Sequence, residues 1–378
     1  MNGTARSTVN VTNMPCLRPV WTASMTSLTY RVGSVSKAAT VAYLGFHEKD
    51  NLGDDAIYDA VRSQLPGVVF DDIPRLPHEF AFPLTPALQR ARRPSTLVMG
   101  GGTLVGVRYF RMLTKLGLAV TRNNGKYAIG VGVQDPGYTG RGSGSQNDEL
   151  TKWKPILADF DSVSVRGPRS VELLADIGVT AQVTGDPALI LPRPEVPVED
   201  GLIGVNLGYG DDLWGHDPVG VAEQVAVAVR ELASRGHRFV GVLMNPADRK
   251  WVEVAFRDVP ADIVLPADAA AAAREFARCS VAIVCRLHAG ILAALSDTPV
   301  VSLEYQPKCR DFALSIDDAA SLIRTDEVTG AAVVDRVLDS LADASAIRAG
   351  KRAAVDRLRK QLHAEYDALR GQLGVAGA

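Results

Sequence analysis

Short apolar runs rich in β-branched residues recur along the chain. Each is followed by a glycine-bearing or acidic loop, and then by a stretch whose apolar positions repeat every three or four residues. TVAYLGF, residues 40–46, opens the pattern as a buried strand. In HEKDNLGDDAIYDAVRSQL, Asp54 and Asp55 suit a helix N-terminus, and Ile57, Val61 and Leu65 return at helical spacing. GVVFDDI predicts a second strand. After a proline-rich loop, STLVMGGGTLVG predicts a third that closes on a glycine run. KYAIGVGVQ and DSVSVRGPRSVELLADIG continue the series. Strand, loop and helix in repetition predict a parallel sheet with crossover helices.

The segment LPRPEVPVEDG, residues 191–201, carries three prolines and three acids and reads as a linker. The pattern then restarts. LIGVNLGYG predicts a strand ending in a glycine turn, and VAEQVAVAVRELASRG a helix stopped by Gly236. RFVGVLM, ADIVLP, SVAIVCRLH and PVVSLEY predict further strands. The fold expected is α/β, with two Rossmann-like domains facing a cleft, over 40–195 and 200–330. Helices are expected over 331–378. There Val355, Leu358, Leu362, Tyr366 and Leu369 define one apolar face, and Lys351, Arg352, Arg357, Arg359 and Lys360 a basic one. Such a helix docks on its own protein more often than on an acidic membrane, although its charge is compatible with peripheral membrane contact.

The 378 residues suit two domains. A net charge of −2 gives no sign of nucleic-acid binding. Cys16, Cys279, Cys285 and Cys309 form neither a CxxC pair nor a zinc spacing, which suits reduced thiols in a cytoplasmic protein. No apolar run reaches the ~18–20 residues that cross a bilayer. Residues 1–39 lack the apolar core of a secretory signal and read as a disordered leader.

Ligands of open parallel sheets bind beyond the carboxyl ends of the strands. The residues expected there are Asn51, Gly53 and Asp54 after the first strand, and Gly100, Gly101, Gly102 and Thr103 after the third. Arg166 follows SVSV, Arg286, Leu287 and His288 follow VAIV, and Glu304, Tyr305 and Lys308 follow VSL. Backbone N–H groups of a glycine run cradle anions, although a tight strand-to-helix turn also calls for glycine. The run is neither a GxGxxG nor a P-loop motif. Arg166 precedes a helix that Pro168 would start, a setting for a carboxylate or phosphate or for an internal salt bridge. If the strand runs on through CRLH, Arg286 and His288 point to one face. No HExxH, paired-carboxylate or GxSxG signature is present.

Taken in order, NLGDDAI, GGGTL, VSVRGPRSVELLADIGV, TGDPAL, CRLHAGILAAL and PVVSLEYQPKCRDF resemble the polysaccharide pyruvyl transferase family over about Val41 to Phe312. RLH with a downstream EYxxK is the most specific part. The family's opening loop usually reads glycine–asparagine, whereas Asp50 precedes Asn51 here. The resemblance implies a fold like the B-type glycosyltransferases, with the C-terminal helix returning over the N-terminal domain. It implies transfer of pyruvate from phosphoenolpyruvate to a sugar as a 4,6-type ketal, with no metal or cofactor, in cell-surface polysaccharide or glycoconjugate synthesis. On that reading Arg166, Arg286 and Lys308 hold the donor, His288 is the acid–base group, and Asp54 or Glu304 serves the sugar. A lipid-linked acceptor would place the enzyme at the inner face of the plasma membrane, and a homo-oligomer is compatible with the sequence. One rival is a nucleotide-sugar glycosyltransferase, but the glutamate pair eight apart that marks many of those enzymes fails, because Phe312 follows Glu304 at that distance. A non-catalytic sugar-binding module is the other rival.

Overall fold

The computed structural model describes residues 39–47, 50–73, 94–122, 124–138, 147–209 and 212–375. The expected leader and the proline-rich loop lie outside the described residues. The first sheet contains β1 (Thr40–Leu44), β2 (Val69–Asp72), β3 (Thr96–Gly100), β4 (Thr103–Val105), β5 (Lys126–Val133), β6 (Ser162–Val165) and β7 (Gln182–Val183). Its order is β2-β1-β3-β5-β6-β7, with β4 against β5. The second contains β8 (Glu199–Asn206), β9 (Arg238–Val242), β10 (Asp262–Val264), β11 (Cys279–Val284), β12 (Val300–Glu304) and β13 (Leu322–Arg324). Its order, β10-β9-β8-β11-β12-β13, is that of a Rossmann sheet. Every pairing in both sheets is parallel.

Helices cover both faces of a parallel sheet, so its central strands are apolar without alternation. All residues of β3, β5 and β11 are buried. Each fully buried Val or Leu stabilises by about 1.5–3 kcal/mol. The helices that matter for the site are α1 (Leu52–Gln64), α2 (Arg108–Val120), α3 (Pro168–Asp176), α4 (Pro218–Ser234), α5 (Leu287–Leu295), α6 (Pro307–Ser315) and α7 (Ala344–Leu373). The helix expected after the linker is α4, which ends before Gly236 at φ 90°.

The two halves are joined around the cleft by specific bonds. Leu52 donates its N–H to the Met244 carbonyl at 3.0 Å, and Asn245 Nδ2 donates to the Asp50 carbonyl at 2.7 Å. On the other side, buried Asp311 of α6 accepts from the Ser170 hydroxyl at 2.6 Å and from its N–H at 3.2 Å. Gly167 is pressed so close to Asp311 that a Cβ there would fall within 2.6 Å of its carbonyl carbon.

Helix α7 crosses both halves. Arg348 donates to the Cys279 carbonyl in the second sheet. Glu365 accepts from Ser162 and Gln182 and from the Ser164 hydroxyl in the first. The basic face anticipated for membrane contact is largely paired within the chain, although Arg352 and Arg357 stay exposed. Lys351 is buried on Asp318, Arg352 pairs with Asp297, and Arg357 pairs with Asp317. Arg359 donates to the carbonyls of Leu189 and Leu191. The Leu189 and Leu191 carbonyls and the Asp297 and Asp318 carboxylates take up three of these donors, and among the described residues only Lys360 of the five has no bond of this kind.

Candidate active site

A cavity of about 300 Å³ opens between the sheets, where the strand order of each reverses. Phe46, Asn51 and Asp54 reach it from the loop after β1 and the start of α1, and Gly102 and Thr103 from the turn after β3. Arg166 comes from the end of β6. Arg286, Leu287 and His288 come from the turn after β11, and Tyr305, Gln306 and Lys308 from the turn after β12. The topology alone brings these segments to one place.

Asn51 caps α1. Its side chain accepts the Gly53 N–H at 3.2 Å and donates to Asp54 Oδ2 at 2.6 Å. Asp50, before it, has φ 56°, in the left-handed region. Glycine adopts that conformation most readily and aspartate tolerates it, which accounts for the departure from the family's glycine.

Strand β11 stops at Val284, so Arg286 and His288 do not alternate along a strand as the sequence suggested. Arg286 is the extended cap residue of α5, and His288 lies in the first helical turn. Both still face the cavity because α5 starts there. Its positive end favours negative charge in the same space. Asn206, at the end of β8, fixes the turn: Oδ1 accepts the Arg286 N–H at 3.1 Å, and Nδ2 donates to the Val242 carbonyl.

Each arginine is held by a buried carboxylate that sequence reasoning did not assign. Asp248, 1% exposed, grips Arg286 Nε and Nη2 at 2.5–2.8 Å. Burial works against the Arg286 cation, but Asp248 outweighs it and raises the pKa. Asp186, fully buried, accepts from Arg166 Nε at 3.0 Å and stands 3.7 Å from His288 Nε2. Burial alone would raise the Asp186 carboxyl. His288, Arg166 and the Ala188 N–H together hold it below the usual carboxylate range. Arg166 Nη1 and His288 Nε2 are buried without a hydrogen-bond partner in the protein.

Lys308 stands 4.8 Å from the Tyr305 ring centre. Burial, with Arg166 and Arg286 nearby, pushes its ammonium down to about 8. The thiols beneath are unsuited to nucleophilic work. Burial pushes Cys309 up to about 11 and Cys285 well above its ordinary range.

Four sequence-predicted residues lie off the cavity wall, and the first of them, Gly100, packs on the Tyr43 ring. Gly53 packs behind His288, where a Cβ would stand 2.6 Å from His288 Cβ and closer still to the ring. Gly101, at φ 61°, packs on Ile57. Glu304 does not face the cleft: it is 2% exposed and forks onto Arg310, at 2.5 and 3.0 Å, so the expectation that it serves a sugar is corrected. Asp54 is the carboxylate that reaches the cavity without an arginine partner. Among the described residues, no cluster of three or more His, Cys, Asp or Glu side chains is placed to hold a metal ion.

Two parallel α/β halves around such a cleft define a fold similar to GT-B glycosyltransferases and sugar-nucleotide epimerases. MnaA from S. aureus, solved with UDP, superposes with a TM-score of 0.59 at 10% identity, covering 90% of this chain and 98% of that one. The UDP-GlcNAc 2-epimerase of Neisseria meningitidis, bound to UDP-GlcNAc, gives 0.52 at 10% identity, covering 89% and 98%. Phytolacca americana UGT2, complexed with UDP-2-fluoro-glucose and pterostilbene, gives 0.52 at 10% identity, covering 85% and 94%. These likenesses are of fold. No curated protein matches the chain. The family is defined by sequence: the polysaccharide pyruvyl transferase model matches residues 51–307, and the chain belongs to that family.

Proposed function

We propose that the protein transfers the pyruvyl group of phosphoenolpyruvate to two hydroxyls of one sugar, forming a 4,6-type ketal and releasing phosphate. The observation that carries this reading is the convergence of Arg166, Arg286 and Lys308 on His288 in one small cavity. The two arginine charges are balanced by Asp186 and Asp248, and among the described residues Lys308 has no such partner. A small molecule with both a carboxylate and a phosphate meets all three cations, and it supplies acceptors for the N–H groups left over on Arg166 and His288.

In this mechanism the cations and the α5 N-terminus hold the donor, with its methylene carbon toward His288. His288 protonates that carbon, and the adjacent carbon becomes electrophilic. A first sugar hydroxyl, oriented by Asp54 from the opposite wall, attacks it. A second hydroxyl on the same sugar then displaces phosphate. Two hydroxyl protons are lost in all. One restores the proton His288 gave up, and the other leaves with phosphate. No metal or cofactor enters these steps.

The reading is tested by incubating the protein with phosphoenolpyruvate and a panel of sugar acceptors, free and lipid-linked, and measuring phosphate release and product mass. The expected product carries the mass of pyruvic acid less one water. Phosphate released with no such product, or glycosyl transfer from a nucleotide sugar supplied instead, would exclude the reading.

Gly53→Ala tests the packing behind the histidine. The added methyl cannot be housed without moving the His288 ring. A shift of about 1 Å costs on the order of 100-fold in rate. Turnover is therefore expected to drop by about that factor while the donor, held by other residues, still protects the protein in a thermal-shift assay. Wild-type turnover would mean that the ring's position does not matter.

A further inference from the structure

A second cavity lies at the far end of α5 from His288, roughly 13 Å along that helix. It shares no lining residue with the candidate active site. Its volume of about 740 Å³ falls within the ~300–1,000 Å³ range of small-molecule sites. Three segments wall it. They are the linker from Arg193 to Val198, the turn of Ser296 and Asp297 that ends α5, and the first turns of α7 with Arg348 and Arg352.

The turn is a helix stop made of backbone bonds. Asp297 donates its N–H to the Ala294 carbonyl at 3.0 Å, and Thr298 donates to the Ala293 carbonyl at 2.9 Å. Asp297 takes φ 59° to do so. Glycine is the usual residue there, and a carboxylate sits poorly at the negative end of a helix. The aspartate is nonetheless buried, only 4% exposed. Arg352 answers its Oδ2 at 2.5 and 2.8 Å. Its Oδ1 is buried without a hydrogen-bond partner. Arg193 Nε stands 3.5 Å from that oxygen but donates to the Leu295 carbonyl. The other acid of the lining, Glu195, is exposed to water.

Arg348 has the opposite deficit. It is half-buried and donates through Nη2 alone, to the carbonyls of Cys279 and Ser280 at 2.8 and 3.3 Å. Among the described residues it has no carboxylate partner, whereas Arg193 pairs with Asp356 and Arg352 with Asp297. Burial lowers its pKa, and the charge of Asp297 offsets only part of that. Its Nε and Nη1 groups are left for an acceptor from outside the protein.

We propose that this cavity is a second ligand site, for a small oxyanion that also carries hydroxyl donors. Arg348 takes the oxyanion, and Asp297 Oδ1 accepts a hydroxyl. Inorganic phosphate answers only the arginine, and a neutral sugar only the aspartate, so the occupant carries both groups on one molecule. Sugar phosphates and sugar acids share that chemistry. The inference does not rest on pyruvyl transfer and is tested without it.

The test is calorimetric titration of the full chain with glucose 1-phosphate, glucuronate, inorganic phosphate and glucose. Glucose 1-phosphate or glucuronate, whichever binds better, identifies the oxyanion, and it should bind at least about tenfold more tightly than inorganic phosphate or glucose, the worth of one further hydrogen bond in a desolvated site. Arg348→Gln keeps a donor for the Cys279 carbonyl and removes the charge. It should weaken binding at least about tenfold. Asp297→Gly suits the left-handed backbone and deletes the acceptor, so it should bind inorganic phosphate and the hydroxylated oxyanion about equally. Lys308→Ala, in the other cavity, should leave the titration unchanged. No heat from either hydroxylated oxyanion at millimolar concentration would overturn the proposal. So would unaltered binding by Arg348→Gln, a preference that survives Asp297→Gly, or a loss of binding in Lys308→Ala, which would put the ligand in the cleft.

Discussion

His288→Ala is expected to fold normally and to release phosphate from phosphoenolpyruvate in the presence of acceptor about 10²–10⁴ times more slowly than the wild type. The expectation follows from position. His288 is in the first turn of α5, its ring is backed by Gly53, and one ring nitrogen is buried without a protein partner while Arg166 and Asp186 stand alongside. Among the described residues, no other imidazole lines the cavity. In the proposed mechanism donor binding rests on Arg166, Arg286 and Lys308, so it should survive, and the loss should fall on kcat rather than on the donor KM. Thermal denaturation with and without donor separates lost chemistry from lost fold. Near-normal turnover by the folded variant would remove the acid–base role.

Asp186→Ala is expected to give the largest loss of stability, about 3–5 kcal/mol by denaturant unfolding, because it strands the buried Arg166 guanidinium. It also removes the cap that accepts the Ala188 N–H, worth about 1 kcal/mol. Asp186→Asn keeps the volume and an acceptor for Ala188, and should lose less. The sign of the pH dependence follows from the depressed carboxyl. Its stabilising contribution is present above the ordinary carboxylate pKa and is lost as pH falls through the lower, folded value. The stability gap between wild type and Asp186→Asn should therefore narrow on strong acidification. A gap that widens, or an alanine variant within about 1 kcal/mol of the wild type, would contradict the account of Asp186 as the counter-charge of Arg166.

The architecture was legible because parallel strands buried on both faces leave uninterrupted apolar runs, such as SVAIV and KYAIGVGV, between helical repeats. The cavity residues were legible because strand ends and switch points concentrate ligand contacts. The turn at Arg286 was misread for a local reason. The apolar strand passes into an apolar helix, and the cap residue makes no side-chain capping bond, so the usual Ser, Thr, Asp or Asn signal is missing. Asp186 and Asp248 escaped because their arginines are 20 and 38 residues away, and such pairs become neighbours only through the fold. Asp186 at least sat inside TGDPAL; Asp248, in NPADR, carried no signal at all. Glu304 misled in the opposite sense. It ends its strand at the cleft, yet its side chain turns to Arg310.

The bond from Leu52 to Met244, with Asn245 holding Asp50, ties the two walls of the cleft at one seam. Asn51 and Asp54 stand on one side of that seam, and Arg286, His288 and Lys308 on the other. A substitution that shifts the start of α1 therefore also shifts the backbone on which the opposite wall is registered. Cavity side chains that take no part in these bonds, such as those of Phe46 and Thr103, can change without moving the seam.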